Sequence, residues 1–174
     1  AYYARSCERI MVHGGIIDKF MGDGIMAIFG SPEKYPDHAR RALIAAIEMR
    51  EVAKDFQKWV KEHHPDLELP EFDIGIGINT GEALAGNIGF AKRSDFATIG
   101  DTTNTAARLE GLTKTLGWKI VASAATVDAA GDIVITGGQD TCKVKGRDQE
   151  VDVFEVVDLK TGEPTTKGLS EISS

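Results

Sequence analysis

The chain has 174 residues, 42% of them hydrophobic, and a net charge of −7, which suits one domain with a real core. No long run of Lys or Arg accompanies this acidity, which argues against a nucleic-acid surface, normally marked by a basic stripe. No uncharged run approaches the ~20 residues of a membrane span and no signal peptide is visible, so this segment reads as soluble and cytoplasmic, which leaves room for a membrane anchor or regulatory domain elsewhere in a longer parent chain.

Residues 1–13 read as a helix, with Tyr2, Tyr3, Cys7, Ile10 and Met11 at helical spacing and Gly14-Gly15 as the stop. Cys7 and Cys142 are far apart and form no CxxC, which points to a reduced setting rather than a disulfide scaffold. Two apolar runs, Ile16 to Phe20 and Ile25 to Phe29, flank a Gly22-Asp23-Gly24 corner and read as buried, paired strands. The glycines let the chain reverse in few residues. Asp23 then sits on the hairpin tip, where a carboxylate suits a hard divalent cation. Asp-Gly is also the commonest hairpin dipeptide, and by itself signals only a turn. Lys19 lies in the apolar strand just before the corner.

After a loop from Ser31 to Tyr35, Pro36 and Asp37 open a long helix that ends near His64, with Pro65 following. Ala42, Ala46, Met49, Ala53, Phe56 and Val60 form its core stripe, and His63 and His64 suit its C-terminal dipole as solvated side chains. Phe72 to Asn79 alternates glycine with isoleucine and predicts a strand, with Glu82 to Ile88 pairing back through Thr80-Gly81. Gly75, Gly77 and Gly81 lack the spacing of a dinucleotide fingerprint, and there is no P-loop, which disfavours a Walker-type NTPase.

Phe90 to Ser94 is a basic loop containing Lys92 and Arg93. Phe96 to Ile99 predicts a strand, Gly100-Asp101 a turn, and the next helix opens with Asp101 or Thr102 as N-cap and ends near Gly117. Asn104 and Arg108, four apart, share one face of that helix near its N-terminus, where free N–H groups favour an anion. An amide and a guanidinium there suit a hydroxyl and a phosphate; a capped surface helix with a solvated arginine is the plainer alternative. Lys119 to Ala122 predicts a strand and Ala124 to Ala130 a short helix. Two further strands lie near Cys142–Val144 and Val151–Val156. Residues 1–159 read as a single α+β domain with helices packed on a mixed sheet, and 160–174 as a mobile tail.

Lys19-Phe20-Met21-Gly22-Asp23 followed by Met26-Ala27-Ile28-Phe29-Gly30, and Ile99-Gly100-Asp101-Thr102-Thr103-Asn104-Thr105-Ala106-Ala107-Arg108-Leu109-Glu110, resemble the class III nucleotidyl cyclases, the adenylyl and guanylyl cyclases. Pro36-Asp37-His38-Ala39 and Val144-Lys145-Gly146 match in the expected order. The resemblance implies a ferredoxin-like antiparallel or mixed sheet with helices on one face and a small C-terminal subdomain. It also implies a reaction in which the ribose 3′-hydroxyl attacks the α-phosphate of ATP to give cyclic AMP and pyrophosphate, with two Mg²⁺ or Mn²⁺ ions per site. On the matching positions, Asp23 is a metal ligand, Asn104 orients the ribose, Arg108 stabilises the transition state and Lys145 holds the terminal phosphates. Arg93 is a further triphosphate contact from a loop that aligns less closely. The family's other metal aspartate, on a first strand, falls upstream of Ala1.

Lys19 speaks to the base. Adenine N1 is an acceptor and guanine N1 a donor, so a lysine serves adenine; guanylyl cyclases place a glutamate here. The partner position is Ala97, where adenylyl cyclases often carry Asp or Thr; Ala97 accepts no hydrogen bond, and Thr98 on a strand faces the other way. Relaxed specificity or guanylyl activity therefore stays open, as does a non-catalytic or incomplete regulatory half of a cyclase pair. Retention of Asp23, Asn104, Arg108 and Lys145 together favours the enzyme. Cyclic-dinucleotide synthases share a related core, but leave Asn104 and Arg108 unexplained. The resemblance also implies a homodimer with sites shared at its interface.

Overall fold

The computed structural model describes residues 2–31, 34–68, 73–81, 93–143 and 150–160, with the backbone alone for 93–100. The elements are α1 (Tyr2–Val12), β1 (Ile16–Met21), β2 (Gly24–Ile28), α2 (His38–His63), β3 (Ile76–Ile78), α3 (Arg93–Leu116), β4 (Ile120–Ser123), α4 (Ala124–Ala130), β5 (Val134–Lys143) and β6 (Glu150–Leu159). No helix among the described residues is long and apolar enough to cross a membrane.

Strands β1 and β2 form a two-stranded antiparallel ribbon, and the other four form a second sheet in the order β3-β4-β6-β5. β3 runs parallel to β4, while β4–β6 and β5–β6 are antiparallel, so the sheet is mixed as expected. Its helices, however, cover both faces. Side chains alternate along a strand, and β4 shows the consequence. Ile120 and Ala122 pack with Leu43 and Ala46 of α2, whereas Val121 packs with Leu109 of α3. Helix α4 lies on the α2 side through Val127 and Ala130. The expectation of helices on one face fails because β4 is apolar at consecutive positions, the pattern of a strand buried on both sides.

The contact between α3 and β3 is unusually close. A Cβ on Gly77 would fall well inside van der Waals contact of Glu110 N and Ala106 O and 2.8 Å from the Leu109 carbonyl carbon. A Cβ on Gly75 would meet the Thr113 side chain at 3.1 Å (to its Cβ). The glycine–isoleucine alternation is thus a helix seat: glycines admit the α3 backbone on one face, and Ile76 and Ile78 join the α2 core on the other.

Helix α2 opens and closes as its prolines and caps suggest, yet Asp37 makes no side-chain cap bond. Its carboxylate instead accepts from Arg41 Nε at 2.9 Å, a hydrogen bond that holds its pKa below the usual carboxylate range. The buried side is Ala39, Leu43, Ala45, Ala46 and Ala53, centred on Leu43 rather than on the larger residues of the expected stripe.

Three other expectations change. The hairpin strands are not buried: Phe20 is 60% exposed, and Ile16 and Met21 are exposed too, because the ribbon stands apart from the main sheet. Residues 96–99 are helical rather than a strand; a short apolar run does not settle its own period, and here helical pairing extends through Gly100-Asp101. β5 and β6 are each 10 residues long, well beyond the short segments expected. The predicted strand Glu82 to Ile88 and the tail from 161 lie outside the described residues.

Gly77→Ala should destabilise the domain by about 1–3 kcal/mol, the usual cost of overpacking where backbone cannot yield. Urea denaturation of the variant beside wild type measures it, and a neutral result would show that α3 can lift from β3.

Candidate active site

Asp23 is set by a two-residue loop. Met21 pairs with Gly24, leaving Gly22-Asp23 as the turn, and Gly22 has φ +59° while Asp23 has no positive φ. That is the signature of a type II′ hairpin, which needs glycine first. Asp23 is exposed, and its carboxylate has no partner among the described residues. Its backbone carbonyl accepts a hydrogen bond from the Tyr3 hydroxyl at 2.7 Å.

Lys19 is four residues earlier, also exposed and without a side-chain partner among the described residues. The register passes from Ile17↔Ala27 to Lys19↔Met26, so Asp18 is an extra residue in β1. Such a bulge re-aims the side chains that follow it, and nothing in the local sequence announced it.

Asn104 and Arg108 lie mid-helix rather than near an N-terminus, because α3 starts at Arg93. No free N–H groups of a helix N-terminus therefore stand beside them to attract an anion, and what remains is side-chain chemistry. Leu109 is fully buried and Thr105 nearly so, which turns Asn104 and Arg108 outward, and neither has a partner among the described residues. Burial pushes the Cys142 thiol up, and the Arg108 guanidinium pulls it partly back. β5 ends at Lys143, and Lys145 lies outside the described residues. Arg93, Ala97 and Thr98 belong to the first two turns of α3, with backbone alone described; strand alternation no longer separates Thr98 from Ala97.

A cavity of about 250 Å³ lies between the two sheets. β2 lines it through Ile25 and Ile28, β3 through Ile76 and Ile78, α2 through Ala42, and α3 through Thr103. Lys19, Asp23, Asn104 and Arg108 are all absent from its walls. All four side chains face solvent outside this cavity.

Residues 13–156 match the family described as the adenylate and guanylate cyclase catalytic domain. The chain belongs to the class III nucleotidyl cyclases. Among curated relatives, this cyclase domain is 34% identical over 166 residues to adenylate cyclase 1 of Rhizobium meliloti, covering 95% of this chain and 24% of the relative. It is 35% identical over 158 residues to an adenylate cyclase of Anabaena cylindrica, covering 89% and 30%. It thus spans less than a third of either relative. Among solved structures it resembles the guanylyl cyclase Cya2, with TM-score 0.75 and 35% identity over 94% of this chain and 79% of that one. The adenylyl cyclase CyaB from P. aeruginosa follows the same fold, with TM-score 0.69 and 26% identity over 90% and 79%.

Because both side chains are exposed and make no hydrogen bond or ion pair among the described residues, Asn104→Ala and Arg108→Ala should each leave the unfolding free energy within about 0.5 kcal/mol of wild type. Urea titration checks it; a larger loss would assign these cyclase side chains a structural role.

Proposed function

We propose that this cyclase domain makes 3′,5′-cyclic AMP and pyrophosphate from ATP, at sites built jointly by two copies of the domain. The supporting observation is the exposure of the four side chains. Asp23, Lys19, Asn104 and Arg108 face solvent, make no hydrogen bond or ion pair among the described residues, and lie outside the cavity between the sheets. A second copy related by a two-fold axis joins Asp23 of one subunit to Lys19, Asn104 and Arg108 of the other, twice over, so that Lys19 and Asp23, four residues apart, serve different sites.

Asp23 fits a divalent ion, since Mg²⁺ commonly takes one or two protein carboxylates and completes its shell with phosphate and water oxygens. The described residues hold no group of three or more His, Cys, Asp or Glu that could bind an ion without substrate. Two Mg²⁺ or Mn²⁺ ions, when bound, lower the pKa of the attacking hydroxyl and offset the triphosphate charge. The resemblance assigns the second metal carboxylate to a further strand. The slot between β2 and β3, with an apolar lining and a strand edge on each side, suits such a strand.

The chain's own side chains do the rest. The Asn104 amide orients the ribose so that its 3′-hydroxyl lies in line with the α-phosphorus. Arg108 is permanently charged and offers a fork of N–H donors to the non-bridging oxygens. Negative charge grows on those oxygens as the pentavalent phosphorus forms, so the contact is strongest in the transition state. Lys145, with Arg93, holds the outer phosphates.

Lys19 donates to adenine N1. Similarity does not choose the base, for the relatives at comparable identity include adenylate cyclases and the guanylyl cyclase Cya2; Lys19 does. Ala97 leaves the adenine amino group to a backbone carbonyl or to Thr98, which favours a weak preference over a strict one.

Lys19→Glu in the full-length protein should depress kcat/KM for ATP far more than for GTP; equal losses would remove Lys19 from base reading. Arg108→Ala should lower kcat by about 10²–10³ with little change in KM, whereas a KM effect alone would make it a ground-state clamp. Shared sites are tested by mixing. Asp23→Ala and Arg108→Ala, each nearly inactive alone, should recover roughly a quarter of wild-type activity when co-refolded, since half the dimers are mixed and each has one intact site. No recovery, with mixed dimers confirmed by mass, would place each site within one chain.

A further inference from the structure

We propose that Tyr3 is a positioning residue for Asp23: its hydroxyl fixes the turn peptide from which the metal-binding carboxylate projects. This rests on the reading of Asp23 as a metal ligand.

The Tyr3 oxygen stands 2.7 Å from the Asp23 carbonyl, 20 residues away in sequence. That is the ordinary length of a good O–H···O bond. The carbonyl belongs to the second residue of the two-residue loop, where the ladder between Met21 and Gly24 does not reach. A turn fixed only by its flanking pair is free to rock its central peptides. A bond to the Asp23 carbonyl restrains the peptide plane on one side of the Asp23 Cα, and with it the direction of the carboxylate.

The donor is well braced. The Tyr3 ring packs edge-on against Tyr2 at 5.5 Å, and Tyr2 packs on Phe56 of α2 at 5.9 Å. The other end of α1 is fixed to α2, where His13 Nε2 lies 2.8 Å from Glu48 Oε2. Helix and hairpin also meet at Gly15, whose N–H donates to Ile10 O at 2.9 Å. The hairpin is therefore held at its base by Gly15 and at its tip by Tyr3. β1 is largely exposed, so little packing on that strand fixes the tip otherwise. A ligand on a rigid corner binds better than one on a loose turn, and losing an outer support of this kind commonly costs 10–100-fold in metal affinity.

The test compares Tyr3→Phe, Tyr3→Leu and Asp23→Ala in the full-length protein. Mn²⁺ affinity is read by electron paramagnetic resonance with 3′-deoxy-ATP, which lacks the attacking hydroxyl. Hydrogen exchange of the peptide spanning residues 16–29 is followed by mass spectrometry without metal. Tyr3→Phe, which keeps the ring, should weaken Mn²⁺ about tenfold, speed exchange at the tip, leave the urea midpoint in place, and leave KM for ATP unchanged at saturating Mn²⁺. Tyr3→Leu should match it, because the hydroxyl and not the ring does the positioning. Wild-type Mn²⁺ affinity in Tyr3→Phe, or a loss in Tyr3→Leu alone, overturns the proposal while Asp23 stands as a ligand. Unchanged exchange at the tip of Tyr3→Phe overturns it as well. If Asp23→Ala itself binds Mn²⁺ like wild type, the metal reading falls first and the positioning role with it.

Discussion

The seating of the α3 backbone on Gly77 is the contact on which the rest of the domain depends. With no side chain between helix and strand, α3 is fixed in height and also in rotation about its axis. Rotation decides function here. Leu109 must point into the core with Val121 and Val153, and the 100° step between helical neighbours then sends Arg108 away from it. Asn104 follows Arg108, one turn earlier on the same face. A helix held off by ordinary side chains could roll, and the two polar ends would lose their common outlook.

The core itself is a sheet clad on both sides, α2 and α4 over one face and α3 over the other. Between this sheet and the hairpin ribbon lies the apolar cavity, floored by α2. Thr80, one of its lining residues, belongs to a small polar cluster: Thr80 Oγ1 lies 2.9 Å from Thr126 Oγ1, which in turn lies 3.1 Å from Ser123 Oγ. Thr126 and Ser123 are buried, so their mutual bonding avoids the cost of unmet hydroxyls. The ribbon has no buried residue in either strand. It hangs from α1 and from a two-residue turn, and segments with few buried contacts open most easily.

Charge placement separates structure from function. The chain is acidic overall, and many of its cations are spent on neighbours. Arg41 bonds Asp37, and Lys54 bonds Glu51, whose carboxyl is held below its ordinary pKa chiefly by that hydrogen bond. These are exposed helix pairs, each worth little to stability. Lys19 and Arg108 have no such partner among the described residues. An unpaired cation on an acidic surface adds local attraction for a polyanion, which suits the triphosphate of the proposed substrate.

The sequence by itself determined the parts whose signals are local. The Gly22-Asp23 turn, the Pro36-Asp37 helix start, the strand after Gly117 and the short helix from Ala124 to Ala130 are set by glycine, proline and apolar periodicity within a few residues. The family was legible for the same reason, since its motifs are short runs around Asp23 and Asn104. Tertiary structure decided what depends on distant partners. Residues 96–99 joined a helix, because a short apolar run fits either period until its surroundings choose. The helices took both faces of the sheet, and the hairpin stayed exposed. Asp18 slipped out of register, Tyr3 reached across 20 residues to the hairpin tip, and Gly77 met the backbone of α3. Each of these is a meeting of surfaces remote in sequence, and no window of neighbouring residues carries its energy.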